Sequence, residues 1–275
     1  FTVRNSGGRL YDSGIYLERR SSGNNISRNT ILNNNDGISL YSSSNNMVSS
    51  NVILNNTYNG IVLYYYSSNN VFSDNIVSNN SDGISLYSSS NNMVSGNTIS
   101  NNNNGIYPTF DSLNNTVYHN NFDNVKNVQT DSVNSWDYGG EGNYWSDYDG
   151  KDLDNNGIGD TPYSVYLLNQ DDHPLMGMFS EFSITMETET YIVTTICNST
   201  ISDLTFEIGV ETGNKLIRFN ITGKDGTAGF CRVAIPTGLI KPPYIVLVGS
   251  NEVNATSLNG SNEAYKRLYF TYLHK

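Results

Sequence analysis

Residues 36–56 read DGISLYSSSNNMVSSNVILNN, and residues 82–102 return almost letter for letter as DGISLYSSSNNMVSGNTISNN. Between them, residues 59–80 give a looser copy, NGIVLYYYSSNNVFSDNIVSNN. A chain that repeats itself this closely uses one structural unit many times. Aligned on the Gly-Ile step, the units fall at Gly14, Gly37, Gly60, Gly83 and Gly105, with spacings of 23, 23, 23 and 22. A second register begins at Asn24, Asn45, Asn69, Asn91 and Asn114, and a third at Asn29, Asn51, Asn75, Asn97 and Asn120.

Each unit thus holds three apolar pieces of strand length separated by Asn, Ser and Gly turns, and none is long enough for a helix. Three strands and three turns in this length make one coil of a right-handed parallel β-helix. At about 4.8 Å per coil, five coils give a prism roughly 24 Å long. A leucine-rich repeat has a similar period, but its Leu-x-x-Leu-x-Leu frame is absent. Stacking assigns inward columns to Ile15, Ile38, Ile61, Ile84 and Ile106, to Leu17, Leu40, Leu63 and Leu86, and to Ile31, Ile53, Val77, Ile99 and Phe122. Asn side chains at the start of each second strand are expected to ladder from coil to coil. Tyr41, Tyr64 and Tyr87 share an outward register. They either cover the sheet or offer flat amphipathic rings to a sugar.

Composition agrees with an all-β chain. Of 275 residues, 37% are aliphatic or aromatic and only 15% charged, and 20 are Tyr. The net charge of −11 argues against nucleic acid and anionic membranes. No apolar run is long enough to span a bilayer. Sequons at Asn25, Asn55, Asn79, Asn114, Asn198, Asn220, Asn254 and Asn259, only two Cys, and few Lys point outside the cell. The chain opens in mid-strand with FTVRN, as a mature or trimmed fragment would.

After the coils, residues 125–178 break the repeat and read as a capping segment, with Trp136, Tyr144 and Trp145 as plugs for the open end. Its core is GNYWSDYDGKDLDNNGIGDTPYSV (residues 142–165), followed by DDHPL (residues 171–175). Together with the repeated NGI/DGI, NN-x-V and N-x-I, this segment resembles the NosD-like family of parallel β-helix repeats, found in archaeal surface and secreted proteins. The resemblance covers residues 1–175 and implies the β-helix fold and a surface context. The family's copper label does not carry over, because His119, His173 and His274 are scattered with no Cys, Met or His cluster around them.

The cap also holds Asp152-x-Asp154-x-Asn156-Gly157-Ile158-x-Asp160. Oxygen ligands at positions 1, 3, 5 and 9, Gly at 6 and a carbonyl at 7 match the start of a calcium loop. Tyr163 stands where a bidentate Glu would, and Asp147 and Asp149 lie near enough to complete the shell. Structural calcium and a solvated acidic turn are the two readings.

From residue 179 to 275 the alternation sharpens into about seven short strands, read as an Ig-like β-sandwich. Cys197 and Cys231 both face inward there, as a disulfide or as two buried thiols.

Three functions compete. Polysaccharide hydrolysis needs paired carboxylates on one face. Asp36 and Asp82 lie two coils apart, about 9–10 Å by the strand spacing, but both are accounted for as turn residues. No catalytic residue is therefore assigned. A polysaccharide-binding module would use Tyr41, Tyr64 and Tyr87. The favoured expectation is a non-enzymatic, extracellular structural protein, self-assembling into a homo-oligomer or polymer through its open coil end or by strand exchange.

Overall fold

The computed structural model describes residues 1–6, 12–166, 168–211, 213–259 and 261–275. Among them every regular element is a strand, and no helix is long and apolar enough to cross a membrane. The chain divides into two units, residues 1–150 with 161–174, and residues 151–160 with 175–275.

The first unit is a parallel β-solenoid of about six turns, built from stacked sheets of seven, six and five strands. The six-stranded sheet carries the Gly-Ile steps, in strands Ser13–Leu17, Asp36–Tyr41, Asn59–Tyr64, Asp82–Tyr87, Asn104–Thr109 and Lys126–Val128. Registers such as Ile38↔Ile61 and Ile84↔Ile106 place identical positions directly over one another. All three expected apolar columns belong to one core, fully buried in the middle turns. The five-stranded sheet adds a fourth column of Ile26, Val48, Phe72, Val94 and Val117. The sixth turn corrects the expected five: Lys126–Val128 and Tyr144–Trp145 continue the stack inside the segment that had lost the repeat.

Asparagine does two jobs at the corners. The first Asn of each pair sits in the left-handed region, as at Asn45 (φ 60°), Asn69 (φ 56°) and Asn91 (φ 58°), a conformation Asn tolerates better than most residues. The second Asn is buried and ladders, so the ladder falls one residue after the expected register. Three ladders run along the corners: Asn46–Asn70–Asn92–Asn115, Asn51–Asn75–Asn97–Asn120 and Asn34–Asn56–Asn80–Asn102. Each amide oxygen accepts from both the backbone N–H and the amide of the preceding coil's Asn, at 2.8–3.2 Å. Coils come too close for a side chain at the Gly-Ile step, where a Cβ on Gly60 would lie 2.3 Å from Val77 Cγ1 and 2.7 Å from the Gly83 carbonyl.

The far end is capped as the Trp residues suggested. Phe122, Trp145 and Tyr163 stack at 4.6 and 4.5 Å. Tyr144 remains half-exposed in its strand. The hairpin Tyr163–Tyr166 and Asn169–Asp171 ends two ladders: Asn169 accepts from Asn134 and the Trp136 indole, and Asp171 from Asn143 and the Trp145 indole.

The second unit is a five-stranded antiparallel sheet, with strands Met178–Met186, Glu189–Cys197, Ala228–Pro236, Tyr265–Leu273 and Ala255–Ser257. Two hairpins, Thr200–Ile208 with Lys215–Thr222 and Val246–Val248 with Asn251–Val253, pack apolar side chains on its core.

Candidate functional site

The Gly-Ile sheet presents three rows on its outer face. The first row is Ser13, Asp36, Asn59, Asp82 and Asn104. Hydrogen bonds join it in two groups: Asn59 Nδ2 donates to Asp36 Oδ1 at 2.8 Å and accepts at Oδ1 from Ser85 Oγ of the next row at 2.7 Å, and Asn104 Nδ2 donates to Asp82 Oδ1 at 2.7 Å. Burial raises the pKa of both Asp36 and Asp82, each against an opposing hydrogen bond from the neighbouring Asn. Asp36 is only 2% exposed; Asp82 is more open.

The third row holds the predicted tyrosines. Tyr64 and Tyr87 stack at 5.3 Å with 9° between planes. Tyr41 departs from the expected stack: it leans on Tyr65 at 4.9 Å and carries the Arg19 guanidinium over its ring at 5.4 Å. The Tyr87 phenol is raised by burial and then by Asp82, with a hydrogen bond from Ser85 opposing.

Beyond this row the corner loops add aromatics that sequence reasoning missed. The corners LYSSSNN at Leu40 and Leu86 are one residue shorter than LYYYSSNN at Leu63 and PTFDSLNN at Pro108. The extra residue is absorbed by two successive left-handed residues, Tyr65 (φ 51°) with Tyr66 (φ 64°), and Phe110 (φ 52°) with Asp111 (φ 60°). Bulky residues resist that conformation by roughly 1–2 kcal/mol each. Tyr65, Tyr66 and Phe110 are nonetheless 55%, 78% and 64% exposed. Tyr65 reaches Tyr64 at 6.3 Å, Phe110 reaches Tyr87 at 6.1 Å and Tyr107 meets the same ring at 5.9 Å, so Tyr41, Tyr65, Tyr64, Tyr87, Tyr107 and Phe110 form one continuous strip. The run YYY, where neighbouring coils place YSS, was the available signal.

A cleft of about 480 Å³ lies at the capped end, lined by Trp136, Asp137, Leu168, Gln170 and Asp172 among others. His173 Nδ1 bonds Asp137 beside it, and His119 Nε2 bonds Glu141 at 2.8 Å.

In the second unit, carboxylate oxygens of Asp152, Asp154 and Asp160 lie within 4.8 Å of one another. Asp152 accepts from the backbone N–H of Asn156 and Gly157, Asn156 Nδ2 donates to Asp154, and Asp160 accepts from the Leu153 N–H. Gly157 (φ 83°) makes the turn that gathers them. Burial and then the neighbouring Asp154 oppose ionisation of Asp152. Asp147, an expected further ligand, is engaged instead by Asn127 and by the Tyr163 hydroxyl. Among the described residues this is the one group of three or more His, Cys, Asp or Glu placed to hold a metal. Its oxygen donors suit calcium and not copper, which takes imidazole and sulfur.

Cys197 and Cys231 face each other across paired strands, both buried and both with free thiols. All eight sequon asparagines are exposed.

A family model described as periplasmic copper-binding protein (NosD) matches residues 1–150. No curated protein matches the chain. Among solved structures, a variant of the periplasmic alginate epimerase AlgG is 30% identical over 44% of this chain and 30% of its own, with a TM-score of 0.42. The Dettilon tailspike protein is 12% identical over 99% of this chain and 62% of its own, with a TM-score of 0.36. The enzymatically active domain of bacteriophage CBA120 tailspike protein 2 is 12% identical over 99% and 64%, with a TM-score of 0.37. This chain therefore spans under a third of the epimerase and under two thirds of either tailspike. The matches include an epimerase and an enzymatically active domain, and the expectation of a non-enzymatic, self-assembling structural protein is withdrawn. That expectation rests on the open first coil and on stacking that leaves little of each coil over for catalysis. It omitted the corner aromatics and treated Asp36 and Asp82 as ordinary turn residues.

Proposed function

This chain belongs to the NosD family of periplasmic, and so exported, proteins, and from that premise we propose that its solenoid binds an extended polysaccharide along the aromatic outer face of the Gly-Ile sheet. The observation that carries the reading is the exposure of Tyr65, Tyr66 and Phe110 in left-handed conformations. Such strain persists where the surroundings impose it and clusters at binding sites. Aromatic rings stack on the apolar faces of sugars. Asp82 and Asn104 in the first row and Tyr107 in the next supply donors and acceptors for hydroxyl groups. Copper has no part in this reading, since the residues present do not fit it. Binding takes place outside the cell, at sequon-bearing surfaces, with calcium at Asp152, Asp154, Asn156, the Ile158 carbonyl and Asp160 bracing the loop of the second unit.

The test is titration calorimetry against a panel of neutral and uronate polysaccharides. The Tyr65→Ala, Tyr66→Ala, Phe110→Ala triple variant should lose at least tenfold in affinity with its thermal midpoint preserved. No binding across the panel, or a triple variant as tight as wild type, would sink the proposal. A second reading, bond cleavage on the same face, is favoured by the raised pKa of Asp36 and Asp82 and their separation of about 9–10 Å, near the range for inverting hydrolysis. New reducing ends released by wild type but not by Asp82→Asn would support it.

A further inference from the structure

The second unit buries a line of reactive groups that polysaccharide binding does not use. Cys197 Sγ lies 3.2 Å from Tyr272 Oη, Tyr272 Oη lies 2.7 Å from Ser199 Oγ, and Ser199 Oγ lies 2.7 Å from His274 Nε2. Each of these residues is buried. Thr227 fixes the imidazole tautomer. Its hydroxyl donates to the Lys224 carbonyl at 2.6 Å, so its oxygen can only accept from Nδ1, which also faces the Thr227 carbonyl at 3.1 Å. Nδ1 therefore carries the proton and Nε2 is the free base turned to Ser199.

The line has two self-consistent directions. With Cys197 as a thiol, its S–H donates to Tyr272, Tyr272 to Ser199, and Ser199 to His274 Nε2. If each link passes on one proton, Cys197 becomes a thiolate and His274 an imidazolium, and every donor reverses. The thiolate then receives hydrogen bonds from Tyr272 and from Cys231, its directly facing neighbour. The bond from Cys231 draws the Cys197 thiol down to about 6, while Cys231 is held above the ordinary thiol range by giving it. Cys197 is the sulfur that meets the Tyr272–Ser199–His274 line, and Cys231 is its partner across the strand pair.

We infer that Cys197 and Cys231 form a redox-active dithiol that reduces a small peroxide, with Cys197 as the attacking sulfur and His274 as its base through Ser199 and Tyr272. The Cys197 thiolate attacks one peroxide oxygen and the O–O bond breaks. The departing hydroxide takes back the proton held at His274 and leaves as water. Cys197 is then a sulfenic acid. The Cys231 sulfur attacks Cys197 Sγ, the S–O bond breaks, and the hydroxyl leaves with the Cys231 proton as a second water. The pair ends as a disulfide and the peroxide is reduced to two waters. Cys197 is only 1% exposed, which excludes bulky oxidants.

The experiment treats reduced, intact protein with hydrogen peroxide and follows thiols by intact mass after alkylation in denaturant. Wild type should lose 2 Da at a rate at least tenfold above that of free cysteine. Cys231→Ser should accumulate a sulfenic acid at Cys197 that dimedone traps, whereas Cys197→Ser should leave Cys231 unmodified. His274→Gly should slow oxidation at least tenfold, and added imidazole should restore it. Equal labelling of the two single-Cys variants, or a wild-type rate no faster than free cysteine, would overturn the assignment. If His274→Gly fails to fold, the asymmetry of the two cysteine variants decides alone.

Discussion

Asn75 sits in the middle of a corner ladder and is fully buried. Its Oδ1 accepts from the Asn51 backbone N–H and from Asn51 Nδ2, both at 3.0 Å. Its Nδ2 donates to the Val48 carbonyl and to Asn97 Oδ1, both at 2.9 Å. Asn75→Ala strands the Asn51 N–H in a dry corner and removes a donor from Val48. The Asn51 amide keeps its bonds to Ile26 and Ser49. At about 1–3 kcal/mol for each of these two groups, the cost is roughly 2–6 kcal/mol, a large share of a typical domain's stability. Asn75→Asp keeps the acceptor but turns a second oxygen onto the oxygens of Val48 and Asn97. It should therefore be damaging at pH 7 and milder near pH 4.5, where the carboxyl can donate one hydrogen bond. Asn55, exposed in the left-handed region, serves as the control, and Asn55→Gly should change stability by only a few tenths of a kcal/mol. The assay is urea unfolding followed by tryptophan fluorescence. Both tryptophans, Trp136 and Trp145, lie in the solenoid core, so the signal reports that unit alone. An Asn75→Ala cost under about 1 kcal/mol, or an Asp variant insensitive to pH, would refute the ladder as a stabilising device.

Asp171 gives a pH signature of its own. Burial raises its pKa from 3.8 to about 6, against hydrogen bonds from Asn143, Trp145 and His173. A carboxyl raised in the folded state contributes stability that is fully present below its unfolded pKa and lost as pH climbs through the folded one, here between about pH 4 and 6, worth about 3 kcal/mol. Asp171→Asn should flatten that slope in fluorescence-monitored unfolding. Chelation by EGTA should lower the melting point of the second unit, and Asp154→Asn with Asp160→Asn should remove the calcium response in calorimetry. Gly60→Ala drives a methyl group to 2.3 Å from Val77 and 2.7 Å from the Gly83 carbonyl. It should cost at least about 2 kcal/mol, while alanine at Gly139, with open space around it but φ 66°, should cost about 1.

The solenoid was readable because each coil solves the same packing problem, so its solution recurs at a fixed spacing. Ile38, Ile61 and Ile84 must share a column once the period is known. The sixth turn was hidden because Lys126–Val128 and Tyr144–Trp145 are separated by an excursion that breaks the spacing, though Asn134 and Asn143 keep two ladders running through it. The pairing of Asn169 and Asp171 with two indoles was likewise beyond pattern reading, because a cap forms once and leaves no period to detect.

The same logic explains why the aromatic face was only half legible. Tyr64 and Tyr87 repeat and were found, whereas Tyr65, Tyr66 and Phe110 arise where a coil carries one residue more than its neighbour. Period-based reading treats such a residue as noise, because the Gly-Ile spacing stays at 23 on both sides of Gly60. The corner shows otherwise: the ladder spacing widens to 24 from Asn46 to Asn70 and narrows to 22 from Asn70 to Asn92. In a solenoid, residues that obey the period are consumed by stacking on their copies. A residue that breaks the period without breaking the stack is free of that demand, and here each inserted corner places an aromatic ring in the solvent. The proposed polysaccharide site is built from such departures from the repeat, and Tyr65, Tyr66 and Phe110 are the positions at which substitution tests binding apart from folding.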